Sequence, residues 1–395
     1  MSKTLRVLHV ASAFHPALYW GGPTVSLYHL CNHLAALPSV DLRVLASDTA
    51  GPGWADRVTR EEANAASYPG YEVLFCRKLW GVDFTPTLAV RVWPMIAWAD
   101  VVHLTSVYSM PTIPTLLAAR LLRKPVVWSP RGSLQRWSGS TRVAEKRVWN
   151  RVCDALLVPR RSILHATSEE EAKESVRHIR NIHVCVIPNG VEVPAHLAKR
   201  VWMPEGGLRI LYLGRLDPKK GIDNLLRALR EIRDTKWMLR ICGDGKQAYR
   251  AQLESMVRDL QLGERVTFVG PVYGDAKTNE LFASDLCVVP SHMENFNNVV
   301  AEALAHGTPV IASRGTPWSE MENRRAGMWV DNTPGSLAAA IQRIRGMDLA
   351  AMGARGREWM LAEYAWQSVA ERMLSIYREL TEHSTDGVES APGIR

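Results

Sequence analysis

The chain has 395 residues, of which 47% are apolar and 22% charged, and its formal net charge at pH 7 is +8. This composition is that of a globular protein, and the length predicts two domains because single hydrophobic cores stop growing near ~250–300 residues. The six cysteines stand singly without a Cys-x-x-Cys pair, which argues against a zinc site and against a disulfide framework.

The N-terminal apolar run, residues 5–11, is too short for the hydrophobic region of a signal peptide. The longest apolar stretch, from Leu88 to Leu104, contains Arg91, Pro94 and Asp100, so it is a poor candidate for a transmembrane helix. We therefore expect a cytoplasmic protein without a membrane span.

Short apolar runs alternate with amphipathic segments along the chain, which predicts an α/β fold with parallel sheets wound through crossover helices. The predicted strands of the first sheet are 5–11, 41–46, 101–104, 125–129 and 163–166. Those of the second sheet are 208–213, 237–242, 266–269, 286–289, 309–312 and 328–330.

The break between the two sets of strands is the segment 188–195, in which two prolines and a glycine mark a linker. We therefore predict a first domain over 1–190 and a second over 191–355, facing each other across a cleft. A helix over 356–382 is expected to cross back onto the first domain, and the polar segment 383–395 is expected to be disordered.

The loop after the first predicted strand ends in Gly21-Gly22, directly before a helix that starts near Pro23. Proline suits the first helical turn, and glycines let the backbone approach a ligand closely. The free N–H groups of such a helix end can bind phosphate, although Gly-Gly before a helix is also a common tight turn.

The first strand of the second set continues into Gly214-Arg-Leu-Asp-Pro-Lys-Lys-Gly-Ile222. Arg215 leaves the carboxyl end of the strand, where open α/β sheets bind ligands, and Lys220 follows in the same loop. A guanidinium can grip phosphate oxygens with two hydrogen bonds, and an ammonium adds a second positive charge. The alternative is a surface turn with solvated basic residues.

A helix downstream is predicted to begin after Asn297, a good N-cap residue. It would present the backbone N–H groups of Asn298, Val299 and Val300 to a pyrophosphate. Glu302 lies just over one turn inside, where its carboxylate could accept hydrogen bonds from ribose hydroxyls.

Glu294 lies on the loop that leads into this helix, together with Asn295 and Phe296, eight residues before Glu302. Its carboxylate could accept hydrogen bonds from the hydroxyls of a sugar. Coincidence is the alternative explanation for the spacing, since glutamate is common.

Residues 120–161 contain eleven Lys and Arg but only two acidic residues, Glu145 and Asp154. One interpretation is a solvated basic helix face; the other is a surface for anionic lipid head groups or for a pyrophosphate-linked acceptor. No recognised nucleic-acid-binding motif accompanies the charge, so nucleic acid is not an expected partner.

Together these motifs resemble the retaining nucleotide-sugar glycosyltransferases of family 4, which have the GT-B fold and two glutamates separated by seven residues. The segment Ser-Pro-Arg-Gly-Ser at 129–133 resembles a variant found among bacterial exopolysaccharide and O-antigen transferases. The motifs that carry the family resemblance are Gly-Gly at 21–22, His-Ala-Thr-Ser-Glu at 165–169, Ile-Pro-Asn-Gly-Val at 187–191, Gly-Arg-Leu and Lys-Lys-Gly within 214–221, Gly-Asp-Gly at 243–245, the glutamate pair at 294 and 302, and Gly-Thr-Pro-Val-Ile-Ala-Ser at 307–313.

The resemblance implies that Arg215 and Lys220 bind the diphosphate of a nucleotide-sugar donor, that Glu302 binds the ribose and that Glu294 binds the sugar. Arg215, Lys220 and Glu294 are therefore the predicted catalytic residues. The predicted donor-binding residues are Gly21, Gly22, Asn295, Phe296, Asn297, Asn298, Val299 and Glu302. It implies retention of anomeric configuration, with the acceptor hydroxyl deprotonated by a departing phosphate oxygen. The acceptor would be a glycan or a polyprenyl-pyrophosphate-linked glycan, at the inner face of the membrane. The chain has no Asp-x-Asp cluster, so no metal cofactor is expected.

The chain departs from the family pattern at several positions. The usual Glu-Gly-Phe-Gly loop reads Glu294-Asn-Phe-Asn297, which leaves the donor sugar open. His103 is interpreted either as a pocket residue or as a core histidine at a strand end. In the segment Ser-Pro-Arg-Gly-Ser, Arg131 would stand where many relatives carry a pocket histidine.

Three other functions share this architecture. A nucleotide-sugar epimerase would isomerise its substrate without an acceptor, and a phosphorylase would carry pyridoxal phosphate on a lysine. A non-catalytic sugar-nucleotide-binding protein would bind a donor without turnover.

Overall fold

The computed structural model describes residues 4–135, 142–180, 182–197, 199–232 and 235–385. The chain divides into two compact units, one formed by the residues up to Gly190 together with those from Trp366 onward, the other by Val191–Ala365. Each unit is built on one parallel sheet.

The first unit contains a seven-stranded sheet in the order β3-β2-β1-β4-β5-β6-β7, and every recorded pairing is parallel. Its strands are β1 (Leu5–Ala11), β2 (Val40–Ser47), β3 (Glu72–Cys76), β4 (Val101–Thr105), β5 (Val126–Ser129), β6 (Ser162–Ala166) and β7 (His183–Val186). Central strands such as β4 are buried along their whole length, as expected where helices cover both faces of a parallel sheet.

The helices of the first unit cover both faces of this sheet. They are α1 (Gly22–Ala35), α2 (Arg60–Ala65), α3 (Pro86–Trp98), α4 (Thr112–Leu121), α5 (Val143–Leu156) and α6 (Glu169–Val176). The chain runs outward in one direction from β1 to β2 and in the other from β4 to β5 to β6. Because crossovers are right-handed, α1 lies on one face and α3, α4 and α5 on the other.

The second unit contains a six-stranded parallel sheet in the order β10-β9-β8-β11-β12-β13. Its strands are β8 (Leu208–Leu213), β9 (Trp237–Cys242), β10 (Val266–Gly270), β11 (Leu286–Val289), β12 (Val310–Ser313) and β13 (Gly327–Val330). Its helices are α7 (Ile222–Glu231), α8 (Gln247–Asp259), α9 (Gly274–Ala283), α10 (Asn298–Ala305), α11 (Glu320–Asn323), α12 (Pro334–Arg345) and α13 (Leu349–Trp359).

The C-terminal helix, α14 (Trp366–Thr385), belongs to the first unit and packs against α1. Its buried side chains Trp366, Met373 and Tyr377 share one hydrophobic cluster with the α1 side chains Leu27 and Leu30. The prediction that the last helix returns to the first domain is confirmed.

The predicted limits of the returning segment are wrong. Helix α13 belongs to the second unit, where Gly353 packs so closely on Gly307 that an added Cβ would lie 2.1 Å from the Gly307 carbonyl oxygen. The returning segment therefore begins at residue 366, not 356. Helix α14 continues to Thr385, three residues beyond the predicted limit of 382, and the rest of the predicted tail lies outside the described residues.

All eleven predicted strands are present within one or two residues of their predicted limits, but the sequence did not indicate β3 or β7. Both are edge strands with partly exposed residues, and each begins with an exposed polar residue, Glu72 or His183, before a short apolar run. Within the described residues, no helix is both long and apolar enough to cross a bilayer.

Candidate functional site

The two central strands of the second sheet, β8 and β11, form the point where its strand order reverses. They pair in parallel, with Ile210 opposite Leu286, and the chain continues from them toward opposite edges of the sheet. Their following loops, 214–221 and 290–297, therefore leave the same edge on two sides of a crevice. Open α/β sheets bind ligands at such a switch point.

Glycines shape the first of these loops. Gly214 has a φ of +143°, and Gly221 has a φ of +64° and lies against the other loop, so that an added Cβ would be 2.0 Å from the Pro290 carbonyl oxygen. Asp217 accepts a hydrogen bond from the backbone N–H of Lys219 at 2.9 Å and so caps the short helical turn Pro218–Lys220. The loop is thus held against residue 290 with Lys220 at its end.

Lys220 and Glu294 form an ion pair across the crevice. The Lys220 Nζ donates to Glu294 Oε1 at 2.5 Å, and the side chains are 20% and 9% exposed, respectively. Partial burial strengthens the attraction between the two charges, because fewer water molecules screen it. The structure therefore brings together two of the predicted catalytic residues.

Arg215, the third predicted catalytic residue, is exposed at the carboxyl end of β8. Its backbone carbonyl accepts a hydrogen bond from the Tyr212 hydroxyl at 2.8 Å, which anchors the loop and leaves the guanidinium at the surface. The pKa of Lys219 is lowered by burial, while the Glu294 carboxylate raises it and the charges of Lys220 and Arg215 lower it. Arg215 is thus close enough to act electrostatically on the same cluster.

The loop 290–294 is clamped by backbone hydrogen bonds on two sides. The His292 N–H donates to the Lys219 carbonyl, and the Glu294 N–H donates to the Gly315 carbonyl, both at 2.8 Å. A Cβ on Gly315 would lie 2.3 Å from the His292 carbonyl oxygen, so this close approach requires glycine. The position of Glu294 is therefore determined by the loops after both β8 and β12.

Asn297 caps α10 in a way that changes the predicted phosphate site. It has a left-handed backbone, with φ +70°, and its Oδ1 accepts a hydrogen bond from the Val299 N–H at 3.2 Å. The Val300 N–H donates to the Asn297 carbonyl, also at 3.2 Å. Two of the three N–H groups predicted to bind a pyrophosphate, those of Val299 and Val300, therefore already donate hydrogen bonds to Asn297. The third belongs to Asn298, the first residue of the helix.

Phe296 was predicted to bind the donor, but its side chain is buried, with 4% exposed. The ring packs 5.0 Å from that of Trp318, and the Trp318 Nε1 donates to the Phe296 carbonyl at 2.5 Å. The Tyr364 ring also packs against the ring of Phe296. Phe296 therefore anchors the loop and orients its neighbours Asn295 and Asn297.

Glu302 projects from α10 and pairs with Lys277 of α9, whose Nζ donates to Glu302 Oε1 at 2.9 Å. The side chains are 20% exposed for Glu302 and 30% for Lys277. Lys277 was not predicted from the sequence, because nothing in the local sequence of α9 indicates a partner 25 residues further along the chain. Each glutamate of the pair is thus neutralised by a different lysine.

The predicted Gly-Gly loop lies in the first unit. Gly21 has a φ of +68° and precedes α1, and Pro23 occupies the first turn of that helix. The predicted helix start is thus confirmed. Gly21 and Gly22 remain predicted donor-binding residues.

His103 is not a pocket residue, because its side chain is fully buried in β4 and both ring nitrogens have partners. Its Nδ1 lies 2.5 Å from the Tyr377 hydroxyl, and its Nε2 lies 2.6 Å from the Ser129 hydroxyl. The Tyr377 hydroxyl also contacts His9 Nε2 at 3.1 Å. Of the two interpretations offered by the sequence, the core histidine is the one that the structure supports.

His9, Tyr377, His103, Ser129 and His165 are joined by hydrogen bonds into one buried network. This histidine network has a single consistent arrangement of protons. His165 Nε2 contacts the Ile187 carbonyl at 2.8 Å, and a carbonyl can only accept, so this nitrogen carries the proton. In neutral His165 the Nδ1 must then accept from Ser129, at 2.7 Å, so that Ser129 in turn accepts from His103 Nε2.

The same reasoning extends to the other end of the network. His103 Nδ1 accepts from the Tyr377 hydroxyl, which itself accepts from His9 Nε2. The remaining nitrogen, His9 Nδ1, faces the Cys31 thiol at 3.6 Å. Every ring nitrogen is satisfied when all three histidines are neutral, and burial lowers the pKa of His9 and of His165 to about 3.

Arg131 is nearly buried in the loop after β5, with 9% of its surface exposed and a left-handed backbone at φ +53°. One guanidinium nitrogen, Nη1, donates to Asn189 Oδ1, whereas Nε is buried without a hydrogen-bond partner among the described residues. Burial lowers the pKa of Arg131, and the nearby Glu171 opposes this effect. Arg131 therefore has one buried donor that a ligand could engage.

In the parts of the chain that the structure describes, no three His, Cys, Asp or Glu side chains are grouped to hold a metal ion. The expectation that no metal cofactor is needed stays a prediction.

Two family models match the chain. One, described as Glycosyltransferase Family 4, matches residues 20–193, and the other, described as Glycosyl transferases group 1, matches residues 207–346. Among curated proteins, the D-inositol 3-phosphate glycosyltransferase of Acidothermus cellulolyticus is 31% identical over 219 residues, which are 51% of this chain and 49% of that protein. That of Corynebacterium diphtheriae is 31% identical over 61% of each chain. The chain thus spans about half to three fifths of these relatives.

Solved structures resemble the chain over nearly its whole length. The Anabaena protein HepE, determined in complex with UDP, has a TM-score of 0.74 at 17% identity and covers 95% of this chain and 100% of its own. Sucrose-phosphate synthase from Thermosynechococcus elongatus has a TM-score of 0.72 at 23% identity, covering 96% and 99%. The lipopolysaccharide outer core galactosyltransferase WaaB has a TM-score of 0.67 at 14% identity, covering 95% and 100%.

The predicted α/β fold, with two Rossmann-like parallel sheets, is confirmed by these structures and by the sheet topology. One glycosyltransferase model matches residues 20–193 and a second matches residues 207–346, and both support a family 4 glycosyltransferase with the GT-B fold.

Proposed function

We propose that the protein transfers a glycosyl group from a nucleoside diphosphate sugar to a hydroxyl group of a glycan or lipid-linked glycan. The observation that carries the proposal is the Lys220–Glu294 ion pair at the switch point of the second sheet, with Arg215 beside it. A cation and a carboxylate side by side suit a substrate that joins a diphosphate to a polyhydroxylated sugar.

The donor would displace contacts that now neutralise the site. A diphosphate would compete with Glu294 for the Lys220 ammonium, and the released carboxylate could accept hydrogen bonds from the sugar hydroxyls. In the same way ribose hydroxyls would approach Glu302, which Lys277 holds in place. Arg215, exposed at the strand end, adds a second cation for the diphosphate.

Catalysis would consist mainly of stabilising the leaving nucleoside diphosphate. Charge develops on its phosphate oxygens as the glycosidic bond breaks, and positioned cations lower the energy of that state without reorganising. The departing phosphate oxygen would accept the proton of the acceptor hydroxyl, with retention of configuration and without a metal. Glu294 is assigned to sugar binding and not to nucleophilic attack.

A uridine diphosphate hexose is the first donor to test, because the similar Anabaena protein was determined with UDP and with UDP-glucose. We place the reaction in cell-surface polysaccharide biosynthesis, a role supported by the motifs of the chain and by its likeness to WaaB.

A second acceptor class is a phosphorylated polyol. The D-inositol 3-phosphate glycosyltransferases are among the relatives, and Arg131 has a buried Nε donor without a partner among the described residues. An acceptor panel containing inositol 3-phosphate, sugar phosphates and undecaprenyl-pyrophosphate-linked sugars separates the two classes.

The test of the donor site is a thermal-shift panel of UDP-, GDP-, ADP- and dTDP-sugars. A donor that binds the native state raises its melting temperature, by an amount that follows from its concentration and dissociation constant. Glu302→Ala is expected to lose the shift while remaining folded. The proposal fails if no sugar nucleotide stabilises the protein, or if the variant responds as the wild type does.

Turnover then separates the related functions. Isomerised sugar nucleotide without an acceptor would indicate an epimerase, and donor binding without any product would indicate a non-catalytic binding protein.

A further inference from the structure

Helices α3, α4 and α5 form one layer on the first sheet, and their inner sides share a buried cluster that includes Leu88, Leu116 and Cys153. Helix α4 lies between α3 and α5 and contacts both. The Arg120 guanidinium ties α4 to α5, because its Nη1 donates to the carbonyls of Ala155 and Leu157 at 3.2 and 3.4 Å. We call the solvent-facing side of this layer the outer face of α3–α5.

The outer face of α3–α5 exposes an unusual number of large apolar side chains. Most surface apolar residues of a globular protein stand singly, whereas here they recur on three neighbouring helices. They are Val90 (73% exposed) and Trp93 (36%) on α3, Leu117 (38%) and Leu121 (62%) on α4, and Val143 (39%), Val148 (60%) and Val152 (40%) on α5.

On α5 the apolar and basic residues form adjacent stripes. Val148 and Val152 are four residues apart and so lie on the same side of the helix. Arg147 and Arg151, both exposed, have the same spacing and form the neighbouring stripe. Lys146 lies on the other side, with its Nζ 5.1 Å from the centre of the Tyr108 ring.

The charge of this layer is one-sided. Helices α3 and α4 contain Arg91 and Arg120 and no acidic residue. Helix α5 contains three basic and two acidic residues, and one of the acids, Asp154, accepts a hydrogen bond from the Arg180 N–H at 2.9 Å. By contrast, α14, in the opposite layer, contains more glutamates than arginines.

We propose that the outer face of α3–α5 docks on an anionic lipid bilayer. Short aliphatic side chains and a tryptophan would enter the boundary between head groups and acyl chains, while the arginines reach lipid phosphates on the flexible stems of their side chains. A protein partner is less suited to this face, because its apolar residues are spread over three helices among arginines and not gathered in a central cluster.

This arrangement explains how a chain without a membrane-spanning helix among its described residues would reach a lipid-linked substrate. It goes beyond the proposed glycosyl transfer and does not depend on it, since docking needs neither donor nor acceptor. It also assigns a role to the exposed Arg147 and Arg151 of the basic segment, two residues that the candidate site does not use.

Co-sedimentation of the full chain with vesicles is the direct test. The wild type is expected to bind vesicles of phosphatidylcholine mixed with phosphatidylglycerol, to bind pure phosphatidylcholine more weakly, and to be released by salt. Each arginine near such a surface contributes about fivefold to binding, so R147Q/R151Q should weaken it by roughly 25-fold. V148S/V152S, which removes the apolar stripe, should weaken it by about tenfold.

Matched variants elsewhere control for charge and hydrophobicity. R258Q/R343Q removes two exposed arginines from α8 and α12, and V176S/V201S changes two valines that are 43% and 69% exposed. Both controls should bind vesicles as the wild type does, and circular dichroism checks that all variants fold.

Three outcomes would overturn the proposal. They are no binding of the wild type to anionic vesicles, equal binding by the α5 variants and the controls, and a change from dimer to monomer in V148S/V152S by light scattering. The last outcome would show that a second copy of the chain covers this face. Because the vesicles contain no sugar nucleotide, failure here leaves the proposed transferase activity to its own test.

Discussion

Acidification should destabilise the first unit because its core contains three neutral histidines. Burial lowers the pKa of His9 and His165 to about 3 from an ordinary value of 6.5, and it lowers the pKa of His103 in the same direction. Below pH 6.5 these histidines bind protons in the unfolded chain but stay neutral in the folded chain. The stabilisation is therefore complete above pH 6.5 and is lost as the pH falls toward 3.

The size of this effect follows from proton linkage. Each proton bound only by the unfolded state lowers the free energy of unfolding by about 1.4 kcal/mol per pH unit. Between pH 7 and pH 5, His9 and His165 each contribute a loss of about 2 kcal/mol, hence about 4 kcal/mol together, and His103 adds to it. This is a large share of the roughly 5–15 kcal/mol by which domains are stable.

The assay is amide hydrogen exchange of β1 and β4 at pH 7, 6 and 5, corrected for intrinsic rates, because these strands report unfolding of the first unit alone. In H165Q, an amide can still accept from Ser129 and donate to the Ile187 carbonyl but does not titrate. This variant should lose about 2 kcal/mol less than the wild type between pH 7 and pH 5. H183Q, at an exposed position of β7, is the control. An unchanged pH dependence in H165Q would refute the reasoning.

Three further variants test other contacts. K220A removes the cation of the Lys220–Glu294 pair and should lower kcat/KM by at least about 100-fold. The control K246A, at an exposed lysine, should keep the kcat/KM of the wild type. Equal kcat/KM values for K220A and K246A would contradict the donor-site assignment. N297G frees the Val299 N–H, and glycine still adopts the positive φ of this position. Calorimetry should therefore show that a nucleoside diphosphate binds the variant several-fold more tightly than the wild type. Weaker binding would show that the Asn297 side chain itself contacts the ligand. Y377F leaves two buried histidine nitrogens unpaired and should cost about 1–3 kcal/mol of unfolding free energy. Y249F removes a buried hydroxyl that has no partner among the described residues and should cost less; equal losses would argue against the histidine network.

Much of the fold could be predicted because its signals are local. A run such as Leu286–Val289 is apolar along its whole length, since helices cover both faces of its sheet, and all eleven predicted strands are present. The edge strands β3 and β7, which are partly exposed, were not predicted. The division near residue 366 was also missed, because α13 and α14 follow each other with similar helical patterns and differ only in what they pack against.

The candidate site divides in the same way. The loops that bear Arg215, Lys220 and Glu294 follow strand ends, and the carboxyl ends of parallel strands meet at one edge of a sheet, so their common edge could be inferred from the sequence. The pairing of Glu302 with Lys277 could not, because α9 and α10 are separate elements brought together only by packing. The burial of Phe296 was missed for the same reason, since Trp318 and Tyr364 are distant in the chain.

The sequence by itself determined the two parallel sheets, the family resemblance and the loops that bear Arg215, Lys220 and Glu294, because each of these depends on periodicity or on residues close in the chain. Only the tertiary structure decided that His103 belongs to a buried network, that Asn297 accepts hydrogen bonds from N–H groups of α10, and that apolar and basic residues share the outer face of α3–α5. These depend on which side chains burial leaves beside one another, and burial is a property of the packed chain.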